Sequence, residues 1–234
     1  MAKKAVLVTG SSSGIGKAIA TRFLRDGMKV IGLARDHSKF APREGIYHPI
    51  TMDLSDITKL EKTTHNILKQ YPEIDVFISN AGYGNFKNIE NFSTPQIKDF
   101  FNVNLISQVI LCRQIISHFK GNGSGDIIIM GSEAALAGKR KATLYSAAKF
   151  GLRGFAQALR DEVAASGVRV CMINPGLVRS PFFDSLDFEP GNLTSNAIEP
   201  DDIAKIVFEL LKTRNGTIID EINLSPVSNS INFK

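Results

Sequence analysis

The sequence predicts an α/β fold: a doubly wound parallel sheet of about seven strands with helices on both faces. Three observations carry that expectation. Short β-branched runs alternate with longer runs of helical period along the chain. A glycine-rich turn, Gly10-Ser11-Ser12-Ser13-Gly14-Ile15-Gly16, lies between the first strand-like run and the first helical one. The run at 126–130 is nearly pure isoleucine, as befits a strand buried on both faces.

The elements follow in order. Residues 5–8 read as a buried strand, and 15–25 as a helix with Ile15, Ala18, Ile19 and Phe23 at helical spacing. Asp26-Gly27 supplies its stop. Residues 28–33 are a second strand and 46–52 a weaker third. A helix over 58–71 ends before Pro72, and 74–79 is the fourth strand. One long helix spans 96–120, closed by a turn with three glycines between 121 and 125. The isoleucine strand follows, then a second long helix over 143–165 and a strand over 167–173. A helix over 200–212 and a strand over 217–224 complete the set. Only 180–198, which contains Pro181, Pro190 and Gly191, lacks a pattern. It follows a strand's carboxyl end, where such sheets bind ligands, and is a candidate substrate lid. No linker interrupts the order, so one domain over 1–234 is expected.

Composition removes several classes. With 234 residues, 43% hydrophobic and 22% charged, the chain has the make-up of a soluble globular protein with a sizeable core. The charge sum, 28 − 23 = +5, is too small to imply nucleic acid without a basic stripe. Cys112 and Cys171 sit among apolar neighbours and read as buried free thiols, which points to a reducing, cytoplasmic setting. No run approaches the roughly 18 apolar residues of a membrane span. The amino terminus is too polar for a signal peptide. His37, His48, His65 and His118 are scattered without metal-ligand spacing, so no metal is expected.

The glycine turn carries the first chemical signal. Glycines let the backbone approach a pyrophosphate closely, and the helix that follows offers unpaired N–H groups and a favourable dipole. An ordinary turn is the plain alternative; the position between a first strand and a helix favours a nucleotide site. At the tip of the second strand an acid would bind the adenine ribose hydroxyl and repel a 2′-phosphate. Here Ala34 and then Arg35 stand at that tip, and a guanidinium suits a phosphate, so NADP(H) is expected over NAD(H). Ser11 or Ser12 can add hydroxyl contacts. Asp36 is the competing, NAD-type acid, but it lies past the tip.

Tyr145 and Lys149 are four residues apart and share a helix face. Tyrosine, with a pKa of about 10, is a poor base near neutrality, and a nearby ammonium lowers it. A tyrosine tuned so can exchange the proton of an alcohol–ketone pair. Such pairs are common on solvated helices; the phosphate loop upstream gives this one weight. Ser132 ends the isoleucine strand, where its hydroxyl can bond a substrate oxygen, though strand-end serines often only cap turns.

These motifs resemble the short-chain dehydrogenase/reductase family over nearly the whole chain. Thr9 to Gly16 matches its cofactor loop, and Asn80-Ala81-Gly82 its strand-end motif. Tyr145 and Lys149 match its YxxxK pair, and Asn174-Pro175-Gly176 its proline–glycine motif. Ser79 and Ser180 depart from the commoner asparagine and threonine. The resemblance implies a Rossmann-type fold and a catalytic set of Asn104, Ser132, Tyr145 and Lys149. Asn104 would hold a water linking Lys149 to solvent. It implies cofactor contacts at Gly10 to Gly16, Arg35, Asp53, Leu54, Asn80, Ala81, Gly82, Tyr145, Lys149, Pro175, Gly176, Val178 and Ser180. The activity implied is NADP(H)-dependent interconversion of a carbonyl and an alcohol, with Tyr145 as general acid/base.

The segment 221–227 is similar to the tail of the 3-hydroxy acid (serine-type) dehydrogenases and clavulanate-reductase-like members. That suggests a small hydroxy acid, with a ketone or aldehyde as the other choice. Arg140, Lys141 or Arg179 would meet a carboxylate; Phe182 and Phe183 would make an apolar lid. The resemblance also implies a homodimer or homotetramer through the two long helices, with Phe100, Phe101, Ile110 and Phe155 facing outward. A non-catalytic nucleotide sensor on the same fold is the rival class. The full catalytic set speaks against it, because a sensor needs no proton donor.

Overall fold

The computed structural model describes residues 5–234. Seven parallel strands form one sheet in the order β3-β2-β1-β4-β5-β6-β8. They are β1 (Ala5–Thr9), β2 (Lys29–Ala34), β3 (Tyr47–Thr51), β4 (Ile74–Ser79), β5 (Gly125–Met130), β6 (Val168–Pro175) and β8 (Glu221–Leu224). A short antiparallel pair, β7 (Phe188–Pro190) with β9 (Ile231–Phe233), stands apart from it.

Alternate side chains of the central strands feed two cores. Val6, Val8, Val76, Ile78, Ile128 and Ile173 pack beneath α1 (Gly14–Arg25) and α6 (Pro200–Leu210). Leu7, Phe77, Ile127 and Ile129 pack on the other face, beneath α2 (Ile57–Gln70), α4 (Ser107–Asn122) and α5 (Thr143–Val163). The isoleucine run is buried on both sides, which is why it shows no polar alternation. Gly27 follows α1 with φ 78, the left-handed stop read from the sequence. Cys112 and Cys171 are free and buried.

Four expectations need correction. The helix expected over 96–120 runs longer and is not uniform. It comprises α3 (Thr94–Phe101), a π-helical turn at Asn102–Ile106, and α4. Taken together, Thr94–Asn122 is long and apolar enough to cross a membrane by length and composition, where no such run was expected. Its α4 part is fixed to the sheet by Leu111, Cys112, Ile115 and Phe119, all without exposure. Phe100 does not face outward: it is 1% exposed and packs on Tyr83, Phe101 and Tyr145. Finally, β8 starts at Glu221, because Thr217 is held in a turn by its N–H bond to the Arg214 carbonyl (2.9 Å).

Candidate active site

The strand order reverses between β1 and β4, and a cleft of about 1590 Å³ opens at the carboxyl ends of these strands. A pocket for one small ligand has roughly 300–1,000 Å³, so this cleft has room for a dinucleotide and a second molecule.

The glycine loop forms one wall. Gly10 has φ 66 and donates its N–H to the Leu33 carbonyl (2.7 Å). A side chain at Gly16 would place its Cβ 2.2 Å from the Gly10 carbonyl oxygen, so only glycine lets the loop close on α1. Ser13 stands at the helix start with no side-chain capping bond, leaving the first N–H groups for an anion. Gly10, Ser12, Ser13, Gly14 and Ile15 line the cleft.

Ser11 and Gly16 lie behind it, and for Ser11 the reason is a specific bond. Its buried hydroxyl pairs with the Tyr47 hydroxyl (2.9 Å), which also meets His37 Nδ1 (2.8 Å). His37 Nε2 in turn meets the Ile50 carbonyl (3.1 Å). Gly32 makes space for this chain: a Cβ there would lie 2.3 Å from the Tyr47 oxygen. Of the expected serine contacts to a 2′-phosphate, only Ser12 remains. His37, given no role by sequence, helps hold the segment that carries Arg35.

Arg35 is exposed at the end of β2 and lines the cleft beside Lys39. Asp36 also borders the cleft, but its carboxylate accepts the Ser38 N–H and hydroxyl, both at 2.8 Å. Those bonds hold its pKa below the usual carboxylate value. Asp53, Leu54, Asn80, Ala81 and Gly82 complete this half. Buried Thr9, the first residue of the loop motif, anchors the strand-end motif. Its hydroxyl accepts the Asn80 and Ala81 N–H groups, and its carbonyl accepts Asn80 Nδ2, each at 2.9 Å. Pro175, Gly176, Val178 and Ser180 line the far side.

Asn104, Ser132, Tyr145 and Lys149 also meet at this cleft, all buried. The α5 helix brings Tyr145 and Lys149, and Ser132 follows β5. Ser132 is held from two sides: its oxygen accepts the Ala134 N–H (3.2 Å), and its N–H donates to Asn174 Oδ1 (3.3 Å). Asn174 is fixed by Glu221 (2.6 Å) and Asn223 (2.9 Å) of β8.

Lys149 donates to the Met130 carbonyl (2.9 Å), and burial draws its pKa down to about 8. The Tyr145 phenol moves opposite to the sequence expectation. Burial pushes it up to about 12, outweighing a hydrogen bond from Ser132, and the Glu133 charge adds to the rise. The ammonium stands 5.8 Å from the phenol ring centre and spends a bond on Met130, so it does not offset the burial.

Asn104 lies in the π turn, and π turns free backbone carbonyls from the helix ladder. Its side chain accepts the Tyr83 N–H and donates to the Phe100 carbonyl, both at 3.1 Å. Its own carbonyl accepts Gln108 Nε2 (3.2 Å), which also reaches the Ala81 carbonyl (3.0 Å). Gln108 Oε1 accepts the Ser79 hydroxyl (2.8 Å). Ser79, a departure in the sequence, is thus paired with a glutamine that no local pattern marked.

Arg179 is not a carboxylate site. It ion-pairs with Glu199 (3.3 Å) and donates to the Gly191 and Leu193 carbonyls (3.1 Å each), clamping the 180–198 segment. Arg140 and Lys141 do line the cleft, as do Phe182 and Phe183. Asn229, Ile231 and Phe233 of the carboxyl-terminal tail also line it and were not expected there. Among the described residues no group of three or more His, Cys, Asp or Glu is placed to hold a metal ion.

Comparison with known proteins places this arrangement. The family model described as short chain dehydrogenase matches residues 4–189. Sepiapterin reductase of Chlorobaculum tepidum is 29% identical over 250 residues, covering 98% of each chain. A 3-oxoacyl-(acyl-carrier-protein) reductase of Buchnera aphidicola is 31% identical over 240 residues, covering 99% of this chain and 92% of the relative. The alcohol dehydrogenase of the archaeon Thermococcus sibiricus, solved in complex with 5-hydroxy-NADP, superposes with a TM-score of 0.84. It is 26% identical, over 96% of this chain and 97% of that one.

Proposed function

The chain belongs to the short-chain dehydrogenase/reductase family and is an oxidoreductase of CH–OH and carbonyl groups; from that premise we propose that it reduces a small carbonyl compound with NADPH, Tyr145 giving the proton. The single observation that carries this reading is the meeting of buried Ser132, Tyr145 and Lys149 on a cleft that continues to Arg35.

The site fits a dinucleotide. The glycine loop has no room for side chains at Gly16, the start of α1 is uncapped, and Arg35 and Lys39 give positive charge where a 2′-phosphate would lie. Gly10, Ser12 to Ile15, Asp53, Leu54, Asn80 to Gly82, Pro175, Gly176, Val178 and Ser180 would hold it. The solved relative with 5-hydroxy-NADP supports the phosphorylated form. When bound, the nicotinamide supplies or takes up a hydride.

The residues do the rest. Ser132 donates a hydrogen bond to the substrate oxygen. Tyr145 would give its proton to that oxygen as negative charge builds there. Lys149 then returns a proton to the phenolate, with Asn104 carrying the path to solvent. A phenol near 12 is neutral at physiological pH, so Tyr145 holds the proton that carbonyl reduction needs. The buried free thiols support a reducing, cytoplasmic compartment, and the family supports a homodimer or homotetramer.

The test is NADPH oxidation against a panel of ketones, aldehydes and keto acids. Tyr145→Phe should keep NADPH affinity and lose about 10²–10⁴-fold in kcat. Turnover that survives this substitution would sink the mechanism. The sensor alternative requires NADPH binding with no turnover on any member of the panel.

A further inference from the structure

Building on the carbonyl-reductase reading, we propose that the substrate pocket takes a carbonyl compound with a bulky apolar, aryl-sized substituent. Its outer wall is the chain's own carboxyl-terminal strand, β9, with Ile231 and Phe233 as specificity-determining residues.

The argument starts at the reacting atom and moves outward. The Tyr145 ring touches Phe86 (5.3 Å between ring centres) and Phe182 (5.9 Å). Phe86 touches Phe188 (5.3 Å), and Phe188 touches Phe183 (5.7 Å). These rings line the cleft, so an apolar path leads from the phenol to β7. On β7, Phe188 stands opposite Phe233 of β9, and Pro190 opposite Ile231.

Phe233 is 76% exposed and Ile231 44%, yet both border the cleft. Large apolar side chains at a cleft rim are stabilised when an apolar ligand covers them and removes their surface from water. The tail is held where it can do this. Gly191 N–H bonds the Ser230 carbonyl (2.8 Å), and Ser228 N–H the Ser195 carbonyl (2.9 Å). Lys234 bonds the Asp187 carbonyl through its N–H (2.9 Å) and the Phe183 carbonyl through Nζ (2.8 Å). Tail and lid segment are thereby joined along their length.

The charges argue against a small hydroxy acid. Arg179 is spent on the lid segment, and although Arg140 and Lys141 line the cleft, the charge that acts on Tyr145 is that of Glu133. An anionic group next to Tyr145 would be repelled by Glu133.

The test uses the full chain. The specificity ratio, kcat/KM for phenylacetaldehyde over that for propanal, is measured for wild type, Phe233→Ser, Ile231→Ser and Val227→Ser. Binding of 2-phenylethanol to the NADP-loaded protein is measured by calorimetry in parallel. Wild type should prefer the aryl aldehyde at least tenfold and reduce the keto acid 3-oxopropanoate less well than either. Phe233→Ser should lower the ratio about tenfold and weaken aryl alcohol binding. Val227→Ser, on an exposed tail residue away from the cleft, should change neither. A preference for 3-oxopropanoate, or an unchanged ratio in both Ile231→Ser and Phe233→Ser, overturns the proposal and leaves the reductase reading intact. If no carbonyl is turned over, the reductase reading fails, and calorimetry still decides: aryl alcohol binding lost in Phe233→Ser supports the pocket, and none in wild type refutes it.

Discussion

The two ends of the cleft are built differently. At the cofactor end the side chains behind the wall are polar: buried Thr9 and Ser11 and half-buried Tyr47 each satisfy specific hydrogen bonds. At the substrate end the wall is aromatic, and it is tied down by backbone bonds to a partly exposed tail. Hydrogen bonds fix direction and distance, whereas ring contacts tolerate exchange. The first end suits one invariant ligand in one pose. The second suits selection by size and polarity, and can be altered without disturbing the first.

The largest test of this contrast is Gly16→Ala. Its Cβ would sit 2.2 Å from a backbone carbonyl that cannot move without the loop. We expect loss of saturable NADPH binding and about 1–3 kcal/mol of destabilisation by denaturant titration. Wild-type NADPH affinity in this variant would show the loop to be as adaptable as the aromatic wall. Next is Arg35→Asp, which exchanges a cation for an anion at the expected 2′-phosphate. Bonds to charged groups contribute about 1.5–3 kcal/mol, so the NADPH-over-NADH preference should fall by at least about tenfold. Unchanged NADPH and NADH Michaelis constants would remove Arg35 from the site.

Gln108→Leu probes the boundary between the two ends. It leaves the Ala81 and Asn104 carbonyls without their side-chain donor. The cost should be about 1–3 kcal/mol of stability, with kcat falling more than the NADPH Michaelis constant rises. An equal loss in both would make Gln108 a packing residue only. The smallest effect concerns pH. Tyr145 stays protonated up to about 12, so the group that titrates first is Lys149, near 8. Its ammonium is present below that pH and lost above it. Reductive kcat should therefore decline several-fold between pH 7 and 9. In Lys149→Arg, where the cation persists, that limb should vanish. A limb with the apparent pKa of an ordinary lysine would show that burial does not tune Lys149.

Legibility in the sequence followed the range of the interaction. The isoleucine strand, the glycine loop and the Tyr145–Lys149 spacing are local, and each lies where its pattern put it. The side of Ser11 is not legible, because a serine in a glycine loop looks the same whether it faces a ligand or a tyrosine hydroxyl 36 residues away. Phe100 was misplaced because an apolar helix residue reads alike in a core and at an interface. The direction of the Tyr145 shift was misread because proximity of charge was visible and depth of burial was not.

The sequence by itself determined the fold class, the loop and the Tyr145–Lys149 pairing on one helix face, because strand and helix periods and glycine spacing repeat over a few residues. Tertiary structure alone decided the rest. It opened the π turn at Asn104, joined Ser79 to Gln108, and folded the tail strand back onto Phe188. Those outcomes depend on which distant groups remain unpaired when the sheet closes. A buried carbonyl takes the nearest available donor, and no local pattern records how near that donor will be.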